Sequence, residues 1–271
     1  GRRGSMPTRR ASPRGSPMPE TPAKRKLVGL EQAASPRTAP GRKKRRDDHT
    51  AVGGADTEAD VLNYLGRFRA TGELHGVSPA SGAPSSGEQA LVLLLRGVAS
   101  GRHGNGELRQ FIIAYGAVRT FAGLRAERLE GLSPITSHLR ARWASSLRAA
   151  APALPSGQVV QEVESLAEAC REGGFHYNLS FASKALAMLG YEVPIYSSEA
   201  KAYLGLPAAA SYRAFFETWV RAYGPRRAHY EAAAEAHLAE SGLERELGVA
   251  WFAMRGFDVH LLAVGGPMRK K

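Results

Sequence analysis

The chain has 271 residues, 43% of them hydrophobic, and a formal net charge of +12, enough for one domain of roughly 200 residues plus a tail. Its single cysteine, Cys170, excludes an intrachain disulfide framework and leads us to expect a reducing, intracellular setting: nucleoid or cytoplasm in a bacterium, nucleus in a eukaryote. The longest uninterrupted apolar run, Ala90–Leu95, falls far short of the roughly 20 residues that cross a bilayer, so no membrane partner is expected.

Residues 1–50 are rich in Pro, Ser, Arg and Lys and poor in large apolar side chains. Such a segment buries too little surface to offset its ordering entropy, and it reads as a disordered basic tail. Gly1–Ser5, ahead of Met6, reads as a cloning scar. Residues 1–46 hold 14 Lys and Arg against 2 Asp and Glu, so of 37 basic and 25 acidic residues overall, 23 of each fall in 47–271. The body is therefore neutral, and the tail carries the whole positive surplus. Lys24-Arg25-Lys26 and Arg42-Lys43-Lys44-Arg45-Arg46 read as nucleic-acid contacts or import signals.

Helical periodicity begins near Ala55 and continues over 55–271. Val61, Leu62, Leu65 and Phe68 form one stripe of a first helix. A Gly/Ser/Pro segment at Gly76–Gly87 separates it from a buried helix over Gly87–Ala99. Gly101–Gly106 is a glycine-rich turn, and Glu107–Leu124 reads as helix again. Ser133-Pro134 supplies a serine cap and a first-turn proline for a helix running to about Ala150. Gln158–Glu172 is amphipathic and stops at Gly173-Gly174. Helices are then expected around Lys184, at 209–223, 225–240 and 242–254, with a short last one over Asp258–Val264 that Asp258 would cap. No alternating strand pattern persists, so the fold class is all-α, with eight to ten helices.

No CxxC, HExxH or clustered His/Cys/Asp set occurs, so neither a metal nor another cofactor is expected. Gly101–Gly106 follows no strand and makes a poor phosphate cradle. Lys184 is the candidate with chemical content. It sits at the margin of an apolar face made by Phe181, Ala185, Met188 and Leu189, and thirteen residues later Pro194–Ser198 reads as an extended return to the same place. Such a lysine most often lays its stem over the core edge. Its chemical alternative is an amine nucleophile, which needs a lowered pKa; partial burial at a helix start would provide one.

The run Asn178-Leu-Ser-Phe-Ala-Ser-Lys184, followed by Val193-Pro-Ile-Tyr-Ser-Ser198, resembles bacterial proteins with the 8-oxoguanine DNA glycosylase fold, within the helix-hairpin-helix DNA glycosylase superfamily. Trp251–Leu261, containing Arg255-Gly256-Phe257-Asp258, resembles the closing segment of the same family, where Arg-x-(Phe/Ile)-Asp opens a final helix. The resemblance covers about residues 87–265 and implies a multi-helix glycosylase-like bundle. It also implies base excision from double-stranded DNA by a monomer, a DNA repair hydrolase with Lys184 attacking C1′ of a flipped-out nucleotide. Ser197 occupies the position where the family has its aspartate, so Asp258 is a candidate for the missing carboxylate. Glu199 lies two residues beyond that position.

Base-pocket candidates are Phe175, His176, Tyr177, Asn178 and Tyr196, because flipped bases are held by aromatic stacking and edge hydrogen bonds. Ser180, Ser183, Arg226 and Arg227, with Lys43, Lys44 and Arg45 of the tail, are candidate DNA contacts. Serine at 197 also motivates an alternative, a non-catalytic DNA-binding protein on the same scaffold.

Overall fold

The computed structural model describes residues 54–70, 87–117, 121, 124, 129–146 and 156–265, all within one unit, Asp48–Lys271. Lys43, Lys44 and Arg45 lie outside the described residues. Among those described there are ten α-helices and no strand: α1 Gly54–Arg69, α2 Gly87–Ala99, α3 Asn105–Ala114, α4 Ser133–Ser146, α5 Ser156–Glu172, α6 Leu179–Met188, α7 Ser198–Tyr203, α8 Tyr212–Tyr223, α9 Arg227–His237 and α10 Leu243–Gly265.

Local chemistry sets several of these boundaries. The side chains of Asn178, Ser197 and Ser211 each accept the N–H three residues on, capping α6, α7 and α8. Each cap satisfies one of the orphan donors at a helix start. The Glu107 carboxylate accepts the Gly104 N–H at 2.9 Å ahead of α3, and that bond holds Glu107 below its usual pKa.

The helices pack as two sets around one continuous core. α10 lies at the centre of the first, against α1, α7 and α9; in the second, α4 packs on α2 and α5, and α5 packs on α6. α1 meets α2 and so joins the sets; within the second set α6 also packs on α2, and α8 lies against α5. Phe68, Trp251 and Phe252 meet edge to face, with the Phe68 and Phe252 centroids 5.1 Å apart. A fork of ion-paired hydrogen bonds from Arg69 to Glu244, at 2.6 and 2.5 Å, ties the end of α1 to the start of α10.

The expected helix over Glu107–Leu124 is shorter than its apolar pattern predicts. It ends at Ala114, because Gly116 takes a φ of 70° and turns the chain out of the helix. The break expected between 254 and 258 lies instead at Gly248, whose φ of 80° and ψ of 165° only glycine tolerates. Asp258 consequently stands inside α10 and caps nothing. α7 has no counterpart in the periodicity, since six residues are too few to show a pattern. α10 is also long and apolar enough to cross a membrane by length and composition, contrary to the reading from the longest apolar run; 67% of its most apolar window is buried, as in a core helix.

Gly256 lets α10 approach α1 and α9. A Cβ there would lie 2.8 Å from Val61 Cγ2 and 3.2 Å from Tyr230 Cδ1. Gly256→Val should therefore destabilise the domain by about 2–3 kcal/mol through overpacking. A urea midpoint unchanged from wild type would contradict this close approach.

Candidate functional site

A cleft of about 530 Å³ opens where the two helix sets meet. α1 contributes Tyr64 and Arg67, α2 Glu88, α3 Ala114 with the following Tyr115, and α6 Lys184. The segment 195–199 adds Ile195, Ser197 and Glu199, and α10 adds Arg255 and Asp258. The return segment thus reaches the Lys184 side of the fold, as its spacing predicts.

Lys184 is the sixth of the ten residues of α6, in mid-helix rather than at a helix start. The expected contribution of a helix N-terminus therefore does not apply. Burial lowers its pKa, and the carboxylates of Glu199 and Glu88 oppose the shift. The ammonium lies 5.1 Å from the centroid of the Tyr115 ring, within cation–π range. A half-buried amine with a lowered pKa is more often neutral, and so more nucleophilic, than a solvated one.

Ser197 lines the cleft, but its hydroxyl accepts the Ala200 N–H at 3.0 Å and caps α7. That cap fixes the first turn, where Glu199 sits. Hydrogen bonding from its own backbone N–H, and then from Ser198 and Ser197, holds the Glu199 carboxyl below its usual pKa, with Lys184 adding to the effect. Glu199 is accordingly an anion, and its field acts on the lysine amine. The carboxylate that acts most strongly on Lys184 is thus two residues beyond the serine.

Asp258 and Arg255 form the buried end of the cleft. Burial pushes the Asp258 carboxyl up to about 6, against the opposing pull of Arg255, the Trp219 indole and the Ile195 N–H. Trp219 Nε1 donates to Asp258 Oδ1 at 3.1 Å. Arg255 Nη2 lies 3.1 Å from Asp258 Oδ2, yet Oδ2 receives no well-directed hydrogen bond, and Arg255 Nε and Nη1 have no partner. The contact is an ion pair by distance with poor angular geometry, so it offsets the cost of burial only in part.

The same residues hold the return segment. Arg255 Nη2 donates to the Val193 carbonyl at 2.5 Å, Tyr212 Oη to the Pro194 carbonyl at 3.0 Å, and the Tyr196 N–H to Ser183 Oγ at 3.0 Å. These side-chain bonds, with the Val193 N–H donating to the Tyr191 carbonyl at 2.8 Å, hold the extended backbone of 193–196 and fix the approach of Ser197 and Glu199 to Lys184.

The aromatic residues expected to form a base pocket lie elsewhere. His176 and Tyr177 are exposed, Phe175 packs edge to face on Phe121 at 4.9 Å, and Asn178 caps α6. They follow the Gly173-Gly174 turn away from the cleft. Tyr196 turns toward α8, donating to the Ala210 carbonyl and packing on Phe215. Ser183 is fully buried, which corrects its expected role as a DNA contact, and Ser180 is half-buried beside it. Arg226 donates to the Ala222 carbonyl and Arg227 pairs with Glu231.

Sequence reasoning passed over Tyr64, Arg67, Glu88 and Tyr115. Glu88 carried a signal, as a lone carboxylate opening a buried helix; Tyr115 did not, because it sits among the apolar residues of a segment that reads as helix. The cleft brings together three cations (Arg67, Lys184, Arg255) and three carboxylates (Glu88, Glu199, Asp258), so it is close to neutral. Arg67 and Glu88 are paired at 2.6 Å.

Comparisons with protein-family models, with curated proteins and with solved structures find no match to this chain.

Proposed function

We propose that this helical domain is a DNA glycosylase-like enzyme that takes an extruded damaged or modified nucleotide into the Lys184 cleft and breaks its N-glycosidic bond. One observation carries this reading: a half-buried amine of lowered pKa shares a roomy cleft with an ionised carboxylate, Glu199, and a buried one, Asp258. The resemblance of 178–198 and 255–258 to glycosylases of the 8-oxoguanine fold supports it independently.

In this reading the Lys184 lone pair forms a bond to C1′. The bonding pair of the glycosidic bond leaves with the base, and Glu199 takes one proton from the attached nitrogen and passes it to that base. As the nitrogen lone pair forms the C=N bond, the C1′–O4′ bond breaks and the second amine proton goes to O4′, leaving a Schiff base between Lys184 and the opened sugar. Glu199 supplies the negative charge that Ser197 cannot, and Ser197 positions it through the α7 cap. Tyr115, half-buried beside Lys184, is the aromatic side chain that the extruded base would meet.

A base-release assay on duplex DNA carrying a panel of oxidised, alkylated and hypermodified bases tests the proposal. Release of one class of base by the full chain is the expected result. A second reading, a non-catalytic DNA-binding protein on the same scaffold, is favoured by Ser197, whose hydroxyl serves as a helix cap. Salt-sensitive duplex binding with no release from any member of the panel would select it.

A further inference from the structure

A second cleft, of about 260 Å³, is lined by Trp219 and shares no lining residue with the first. Its floor is apolar and aromatic: Phe216, Trp219, Tyr223, Pro194 and Met254, all buried. Its rim carries Glu192, Arg227 and Glu231. Two carboxylates thus stand against one guanidinium, and that guanidinium is already bound to Glu231 at 2.7 Å. The cleft is left with the Glu192 charge over aromatic faces.

The Tyr223 hydroxyl supplies the second observation. Tyr223 is only 7% exposed, and its hydroxyl is buried with no hydrogen-bond partner. Tyr223 lines the cleft, and beyond burial the charges acting on it most strongly are Glu231, Arg227 and Glu192, the three rim residues, so its hydroxyl lies just beneath the charged rim. A buried hydroxyl without a partner costs stability unless something binds it. Aromatic faces, a surplus carboxylate and a free hydroxyl oxygen together make a receptor for a cation that can also donate a hydrogen bond.

We infer that this cleft binds a primary ammonium group carried on an aromatic or apolar body, with the ring against Trp219 and Phe216, the ammonium between Glu192 and the Tyr223 hydroxyl. The site is separate from the Lys184 cleft and does not depend on the function proposed for it. Trp219 links the two, since its indole N–H holds Asp258 of the first cleft while Trp219 itself lines the second.

Titration with 2-phenylethylammonium, followed by tryptophan fluorescence, tests the site against 2-phenylethanol, which has the same shape without the charge. Saturable quenching by the amine is expected, with affinity at least about ten-fold weaker for the alcohol and similarly weakened in Glu192→Gln. Tyr223→Phe should weaken the amine alone. Lys184→Gln should bind like wild type, and Trp219→Phe should lose the signal while calorimetry still reports binding. Equal affinity for amine and alcohol, no saturation, or full affinity in folded Glu192→Gln would each overturn the assignment.

Discussion

Borohydride should trap the protein covalently on duplex DNA bearing its substrate base, and Lys184→Gln should abolish the adduct and slow base release by at least ~10³-fold, since removing a nucleophile takes away the bond-forming group itself. The variant should stay folded, because Lys184 is half-buried on the cleft wall and takes part in no ion pair within 4 Å among the described residues. Glu199→Gln gives the sharper companion result. Rate should fall by about 10²-fold or more with the loss of a base and a stabilising charge. The pH–rate profile should move as well. Burial lowers the Lys184 pKa and Glu199 partly restores it, so neutralising Glu199 lowers it further and shifts the ascending limb to lower pH. A limb that stays in place, or moves up, would mean that Glu199 does not act on this amine.

Asp258→Asn should stabilise the domain at pH 7.5 and leave it unchanged at pH 4. In the native state burial raises the Asp258 carboxyl from 3.8 to about 6. Between those values the folded chain binds more protons than the unfolded one, so the contribution of this group is complete below about 3.8 and is lost as pH rises through about 6. The full loss is about 3 kcal/mol, at 1.36 kcal/mol per unit. Asparagine mimics the protonated acid in shape and escapes that cost. The competing effect is the Arg255 pair, whose rupture would cost about 3–5 kcal/mol were it well formed. The missing hydrogen bond at Oδ2 and the two unpartnered Arg255 nitrogens place it below that class. Thermal melts at the two pH values decide between them: a variant less stable at pH 7.5 would mean that the ion pair outweighs burial. Carboxyls held low in the native state, such as Glu244 beside Arg69, add stability that rises with pH. The comparison is therefore between variant and wild type at each pH. A stabilising loss of a buried carboxylate is the signature expected where a group is kept for function.

Glycine and serine positions foretold much of the architecture. Gly173-Gly174 ends α5 where its pattern stops, and Ser133-Pro134 opens α4. α2 spans the residues that its apolar run predicts. Where the reading failed, a backbone angle overrode side-chain character: Gly116 ends α3 inside an apolar stripe, and Gly248, not the Arg255–Asp258 stretch, breaks α10. Periodicity counts apolar side chains and is blind to a single positive φ.

The candidate site was legible in part for the same reason. Lys184 and the Pro194–Ser198 return are neighbours through a short stretch of chain, so their spacing alone implied that they meet. Charge partition between tail and body, the helical class and the amine candidate likewise follow from local order in the sequence. Which carboxylate acts most strongly on the amine does not. A helix cap turns Ser197 toward its own backbone and presents Glu199 two residues later, while α10, arriving from the other end of the chain, delivers Asp258 and Arg255 buried and incompletely paired. Those placements depend on how α1, α2, α6 and α10 cross, and the crossings are set by close packing among residues up to about 200 positions apart, such as Asp60 and His260.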